Sequence, residues 1–158
     1  MHLAIKKSYQ LLVLFLLINF GGLALGSFLM NSGPTSDWYM GLNKAPWTPP
    51  GWVFGAAWTT IMICFSIYLS KLFVVDDTKN QRLIYGGQVF LNVIWNYIFF
   101  NQHQVLLALI VIVLLTSLIF IYFFKLSYKV QMAKYLLVPY MIWLCIATSL
   151  NLYVLIHN

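Results

Sequence analysis

The chain has 158 residues, of which 62% are hydrophobic and 8% charged, and its formal net charge is +6 at pH 7. Charged residues make up about 25% of an ordinary soluble domain, so this composition excludes that class and predicts a membrane protein. The basic residues are spread over separate loops, so the positive charge does not indicate a nucleic-acid partner.

Five apolar segments follow one another, and each is close to the ~20 residues that a helix needs to cross a bilayer. They cover about residues 8–30, 51–73, 82–100, 104–125 and 131–156. The backbone of a segment in lipid must satisfy its own hydrogen bonds, and these segments lack the alternation of barrel strands. The predicted fold is therefore an all-α membrane protein, a five-transmembrane-helix bundle that forms a single domain over residues 1–158.

The first apolar segment has a second reading, as the hydrophobic region of a signal peptide. It is too long for such a region, and no small-residue cleavage site follows it before Asn31. We therefore expect it to be retained as the first helix of the bundle.

Basic residues concentrate on one side of the predicted membrane. If the five segments alternate in direction, one side carries Lys44 alone, and the other carries all the rest: Lys6, Lys7, Lys71, Lys79, Arg82, Lys125, Lys129 and Lys134. Cytoplasmic loops are enriched in Lys and Arg. We expect a cytoplasmic N-terminus and, without a cleavable signal, the cytoplasmic membrane of a bacterium.

Residues 34–58, here called the Pro/Trp segment, hold four of the five prolines and four of the six tryptophans. Proline fixes φ, so this segment is predicted to be a rigid shape on the non-cytoplasmic side, where it could cover the bundle. An interfacial aromatic belt is the alternative explanation for Trp38, Trp47 and Trp52.

The predicted helices contain no ionisable side chain near the middle of the membrane. The acidic residues and the histidines lie in loops or near helix ends: Asp37, Asp76, Asp77, His2, His103 and His157. Proton-coupled transporters usually need such a group in mid-membrane. The sequence therefore argues against a proton-driven transporter, and it shows no hydrolase or metal-site signature.

Polar amides and aromatic rings recur at helical spacing in three of the five segments, and each row carries one tryptophan. The rows are Phe54-Trp58-Met62-Phe65, Gln88-Asn92-Trp95-Phe99 and Pro139-Trp143-Ala147-Asn151. If they face inward, they could enclose a flat aromatic ligand. Two alternatives stay open: the rings could simply pack in the core, and Asn92 and Asn151 could bond across helices.

Four blocks of residues resemble the TspO/MBR family, the tryptophan-rich sensory proteins related to the mitochondrial translocator protein (peripheral benzodiazepine receptor). They are Trp38-Tyr39-x-x-Leu42, Lys44-Ala-Pro-Trp-Thr-Pro-Pro-Gly51 with Phe54 and Trp58, Leu91-Asn92-x-x-Trp95-x-x-x-Phe99, and Pro139-Tyr140-x-x-Trp143-x-x-x-Ala147-x-x-Leu150-Asn151. The family's Lys-Pro-x-Trp order is here Lys44-Ala45-Pro46-Trp47, so the proline is displaced by one position.

The resemblance implies a membrane receptor, often a homodimer, that binds tetrapyrroles such as protoporphyrin IX or haem beneath its first loop and requires no cofactor. It implies a role in porphyrin sensing, transport or light-dependent degradation, with Trp58 and Trp143 as the photochemical residues. The expected ligand-binding residues are Tyr39, Trp47, Phe54, Trp58, Asn92, Trp95, Phe99, Trp143, Ala147 and Leu150. The competing hypothesis is a passive transporter or scaffold protein whose tryptophan rows are only packing.

Overall fold

The computed structural model describes residues 2–158, with side chains from residue 6 onward, and all regular structure in that range is helical. Five helices are long and apolar enough to cross a membrane, which confirms the predicted five-helix bundle. They are α1 (His2–Leu29), α3 (Gly51–Val75), α4 (Lys79–Asn96), α5 (Val105–Phe124) and α6 (Val138–His157). A short helix, α2 (Asp37–Gly41), lies in the loop between α1 and α3.

The long helices close into a ring around the molecule's axis. α1 packs against α3 and α4, α4 packs against α5, α5 against α6, and α6 returns to α3. One glycine serves this packing: a Cβ atom on Gly26 of α1 would lie only 2.7 Å from the Asn96 amide nitrogen of α4. Glycine at this position therefore allows α1 and α4 to approach closely.

The last helix begins later than the sequence indicates. The expected start was about residue 131, but two 3₁₀ turns, Leu126–Lys129 and Ala133–Leu137, precede α6. Pro139 lies in the first turn of α6. A proline is well tolerated there, because its missing N–H would have had no partner within the helix. Pro139 thus belongs to the start of α6 and does not bend it.

α4 ends in a single turn of π-helix, Tyr97–Asn101, which the sequence did not reveal. The N–H of Gln102 donates to the carbonyl of Tyr97, five residues earlier, at 3.0 Å. Such wide turns usually occur singly, and they are frequent at functional sites. The helix predicted to end at residue 100 therefore changes geometry over its last turn.

The end of the bundle that carries most lysines, here called the basic end, is tied together by ion pairs. Lys129 donates to Asp76 at 2.7 Å, and Arg82 donates to both carboxylate oxygens of Asp77, at 2.8 and 3.0 Å. The hydrogen bond from Lys129 holds the pKa of the Asp76 carboxyl below its ordinary value. The Lys129–Asp76 ion pair links the α3–α4 loop to the chain after α5. Its stabilising effect is fully present above the ordinary pKa of an aspartate, and it is lost as the pH falls through the lowered pKa of Asp76.

A buried polar network joins three helices in the basic half of the bundle. The Tyr85 hydroxyl donates to Asn19 Oδ1 at 2.8 Å, and Asn19 Nδ2 donates to Ser66 Oγ at 2.9 Å. These three side chains come from α4, α1 and α3, and all are buried. The network therefore fixes how α1 sits between its two neighbours.

We expect Asn19→Leu and Tyr85→Phe each to lower the free energy of unfolding by about 1 kcal/mol, because each removes a hydrogen bond from the bundle interior. In the double variant, the loss of unfolding free energy should be about 0.6 kcal/mol smaller than the sum of the two single losses, since both changes remove the same Tyr85–Asn19 hydrogen bond. Reversible unfolding in detergent micelles measures all three values. Strict additivity would show that the two groups do not interact.

Candidate ligand-binding site

A cavity of about 370 Å³ lies at the end of the bundle opposite the basic end. Its walls come from α3, α4, α5 and α6, and the loop between α1 and α3 (residues 30–50, the α1–α3 loop) covers it. The lining residues are Met30, Pro34, Tyr39, Lys44, Thr48, Pro49, Gly51, Phe54, Trp58, Asn92, Trp95, Asn96, Phe100, Ile112, Leu115, Trp143, Leu144 and Ala147.

The first half of the α1–α3 loop is held by α2 and by the turn between α4 and α5. Ser36 caps α2 by accepting a hydrogen bond from the Tyr39 N–H at 3.2 Å. The Trp38 ring stacks on His103, with centroids 4.1 Å apart and planes 13° apart, and meets Phe99 edge-on at 5.5 Å. These contacts fix α2 over the π turn of α4.

The second half of the α1–α3 loop is held by α6. The indole N–H of Trp47 donates to Ser149 Oγ at 3.2 Å, and its ring meets Tyr153 edge-on at 5.4 Å. The side chain of Asn158 accepts from the Asn43 N–H at 2.8 Å and donates to the Asn43 carbonyl at 3.3 Å. The loop is thus attached at two sides, as the rigidity predicted for the Pro/Trp segment requires.

The structure brings most of the predicted site residues together. The seven that line the cavity are Tyr39, Phe54, Trp58, Asn92, Trp95, Trp143 and Ala147. Phe99 and Leu150 line a smaller recess of about 50 Å³, whose wall also includes Tyr39, Phe54, Trp95 and Ala147. Ala147 lies at the boundary between the two spaces, where its small side chain leaves room.

Trp47 does not line the cavity. Its side chain is 55% exposed and lies on the outer surface of α6, where it anchors the loop as described above. Its position in the Trp-x-Pro-Pro block gave no indication of whether the ring pointed inward. A ligand contact at Trp47 stays a prediction, and the geometry assigns this residue an anchoring contact.

Three indole rings, one from each predicted row, surround the cavity. Trp58 meets Tyr140 edge-on at 5.9 Å, Trp143 meets Phe54 edge-on at 5.1 Å, and Trp95 stacks on Phe99 at 5.1 Å. Each ring is therefore held by an aromatic neighbour on one side. The rows therefore pack against neighbouring rings and also line the cavity.

The two buried amides have different surroundings. Asn151 accepts the Trp95 indole N–H at 3.1 Å and donates to the Val105 carbonyl at 3.0 Å, so it bonds across helices. The Asn92 side chain makes no hydrogen bond within the described part of the chain, and it faces the cavity. Asn151 thus orients Trp95, while Asn92 offers a free donor and acceptor to a ligand.

Tyr39 and Lys44 bring polar groups to the loop side of the cavity. The Lys44 ammonium lies 4.9 Å from the centroid of the Tyr39 ring, a cation–π contact, and 3.4 Å from the Met40 carbonyl oxygen. Burial raises the pKa of the Tyr39 phenol, so this group stays neutral and can donate a hydrogen bond.

Several lining residues carried no signal in the sequence. Ile112, Leu115 and Leu144 are ordinary apolar residues of α5 and α6, and nothing distinguishes them from lipid-facing neighbours. Asn96 and Phe100 flank or belong to the π turn, which changes the direction of side chains near the end of α4. Within the described residues, no cluster of three or more His, Cys, Asp or Glu side chains could hold a metal ion.

The fold and the site define an integral membrane protein, a five-helix bundle with an aromatic cavity under a rigid loop. The TspO/MBR family model matches residues 13–157, and the chain belongs to that family.

Relatives from bacteria and animals are similar over most of the chain. A tryptophan-rich sensory protein of Cereibacter sphaeroides is 30% identical over 73% of this chain and 73% of its own length. A tryptophan-rich protein TspO of Chlorobaculum tepidum is 33% identical over 79% of this chain and 82% of its own length. The translocator protein of Homo sapiens is 33% identical over 72% of this chain and 70% of its own length. The resemblance noted from the four sequence blocks is thereby confirmed.

We expect Asn151→Leu to lower the free energy of unfolding by about 1–2 kcal/mol, because it leaves the Trp95 N–H without its acceptor inside the bundle. Asn92→Leu is the matched control, since its side chain has no partner to lose, and its effect should stay within about 0.5 kcal/mol. Thermal unfolding in detergent micelles compares the two. Equal losses would contradict the different roles assigned to the two amides.

Proposed function

We propose that this protein is a membrane receptor that binds tetrapyrroles, protoporphyrin IX or haem, in the cavity under the α1–α3 loop. The observation that carries the proposal is the set of three indole rings around one apolar space of about 370 Å³. That volume falls within the ~300–1,000 Å³ typical of small-molecule pockets, and flat aromatic walls suit a flat aromatic ligand.

The polar groups at the cavity also support this ligand class. The side chains of Trp58, Trp143 and Asn92 line it and are free of hydrogen bonds within the described residues, so they can donate to a ligand. A few placed donors in an otherwise apolar pocket fix the orientation of a ligand without binding it by charge alone. A tetrapyrrole has an apolar ring and polar substituents at its edge, which matches this arrangement.

The proposed roles are porphyrin sensing, transport or light-dependent degradation. Relatives carry the names sensory protein and translocator protein. In the degradation role, Trp58 and Trp143 would act on a porphyrin excited by light, since the cavity brings both indoles to the same space.

The location and assembly belong to the same proposal: a bacterial cytoplasmic membrane, a cytoplasmic N-terminus and a homodimer. The orientation is supported by the ion pairs of the basic end, which bring the α3–α4 loop together with the chain after α5. A single end of the bundle therefore carries the residues that the positive-inside rule places in the cytoplasm.

The alternative, a passive transporter or a scaffold, predicts a different response to a filled cavity. Ala147→Phe would occupy the boundary between the cavity and its recess. A scaffold function should survive this change, whereas a receptor should lose its ligand. Porphyrin flux across proteoliposomes, absent from tryptophan variants, would favour the transporter.

For the proposed binding, we expect the Trp58→Ala, Trp143→Ala double variant to raise the Kd for protoporphyrin IX by about five- to 150-fold. The reason is the loss of two ring contacts, each worth about 0.5–1.5 kcal/mol. Quenching of the remaining tryptophans and the shift of the porphyrin absorption band measure the Kd.

Trp52→Ala provides the control for this experiment, because the Trp52 side chain is 75% exposed and does not line the cavity. Its Kd should equal that of the unmodified protein. An unchanged Kd in the double variant would overturn the cavity assignment.

The photochemical role predicts that illumination of the protein with protoporphyrin IX bleaches the main absorption band faster than detergent alone. Replacing Trp58 and Trp143 by Phe should slow this loss while keeping apolar rings in the cavity. The absorbance is followed over time at fixed light intensity. Equal rates with and without protein would remove the photochemical role and leave the binding proposal intact.

A further inference from the structure

Lys44 is the one residue with a formal charge among the described residues that line the cavity. It is half-buried in the α1–α3 loop and lines both the cavity and the smaller recess. Its ammonium lies against the Tyr39 ring and makes a long hydrogen bond of 3.4 Å to the Met40 carbonyl. Neither contact neutralises the charge.

No acidic side chain of the described chain serves as a counter-ion for Lys44. Asp76 and Asp77 lie at the basic end, where they pair with Lys129 and Arg82. Asp37 is exposed on α2 and is not among the lining residues. A positive charge beside an apolar space, with water partly excluded, interacts strongly with an anion and disfavours a cation.

The neutral polar groups of the cavity favour the same kind of ligand. The indole N–H groups of Trp58 and Trp143 are donors only, and the neutral Tyr39 phenol can also donate. A ligand with acceptors at its edge and a flat apolar body therefore satisfies both the charge and the donors.

We infer that Lys44 selects amphipathic carboxylates: the ligand's carboxylate pairs with the ammonium under the α1–α3 loop, and its apolar body extends between the indole rings. This inference rests on the proposed function, and it specifies which end of the ligand lies under the loop and which charge the site prefers. Uncharged esters of the same ring system fit the indole rings equally well but lack the ion pair, and cationic analogues are repelled.

The experiment compares protoporphyrin IX with its uncharged dimethyl ester, in nanodiscs of one lipid composition. The quantity of interest is the ratio of the two Kd values within each variant, and the comparison of this ratio between variants cancels the partitioning of each compound into lipid. We expect the unmodified protein to bind the diacid about five- to tenfold better, relative to the ester, than Lys44→Met does.

Two further variants make the result specific. Lys44→Arg keeps the charge and should keep most of the preference for the diacid. Lys79→Met removes one exposed positive charge at the basic end, so it reproduces the change in net charge without touching the cavity, and it should keep the full preference. In Lys44→Met, the affinity for the ester should fall less than the affinity for the diacid, and in Lys79→Met both affinities should stay unchanged.

The possible outcomes separate the inference from the proposed function. If Lys44→Met keeps the preference of the unmodified protein, or if Lys79→Met loses it to the same extent, the role of Lys44 is overturned while porphyrin binding stands. If neither compound binds the unmodified protein, the proposed function fails and this inference with it.

Discussion

A helix surrounded by lipid has no water to pair with its polar groups, so a polar side chain is stabilised by a partner inside the bundle. In the basic half, this constraint joins Tyr85, Asn19 and Ser66 into a network across three helices. In the other half, Asn151 binds both the Trp95 indole and the Val105 carbonyl. Against this background, an amide that bonds to nothing in the described chain, such as Asn92, is informative, because it faces the cavity.

The position of the α1–α3 loop also depends on specific side-chain contacts. Its first half is attached to the turn between α4 and α5, through the stacking of Trp38 on His103. Its second half is attached to α6 and to Asn158 just after it, through Trp47 and Asn43. Prolines limit the conformations of the loop between these attachments. The cavity is therefore a property of the closed ring of helices together with a loop that is attached at both of its halves.

Sequence reasoning located the helices and the three tryptophan rows because both depend on local pattern: long apolar runs and helical spacing. The start of α6 does not follow from the sequence, since the apolar run continues through the 3₁₀ turn Ala133–Leu137 that precedes the helix. Sequence reasoning could not tell that Trp47 faces outward, because a loop has no periodicity from which to deduce direction. The sequence pattern also does not identify Ile112 and Leu115 as lining residues, since apolar residues that face lipid and apolar residues that face a cavity have the same pattern.

The π turn at Tyr97–Asn101 has a consequence for the aromatic wall. In a regular α-helix, positions four and five residues after Trp95 would diverge around the axis, and only the first could reach its ring. The wider turn lets both do so: Phe99 stacks on Trp95 at 5.1 Å, and Phe100 meets it edge-on at 5.8 Å. One surplus residue in a single turn thus adds the Phe100 ring to the aromatic wall. A deletion in this turn would change which side chains face the cavity as well as shorten the helix.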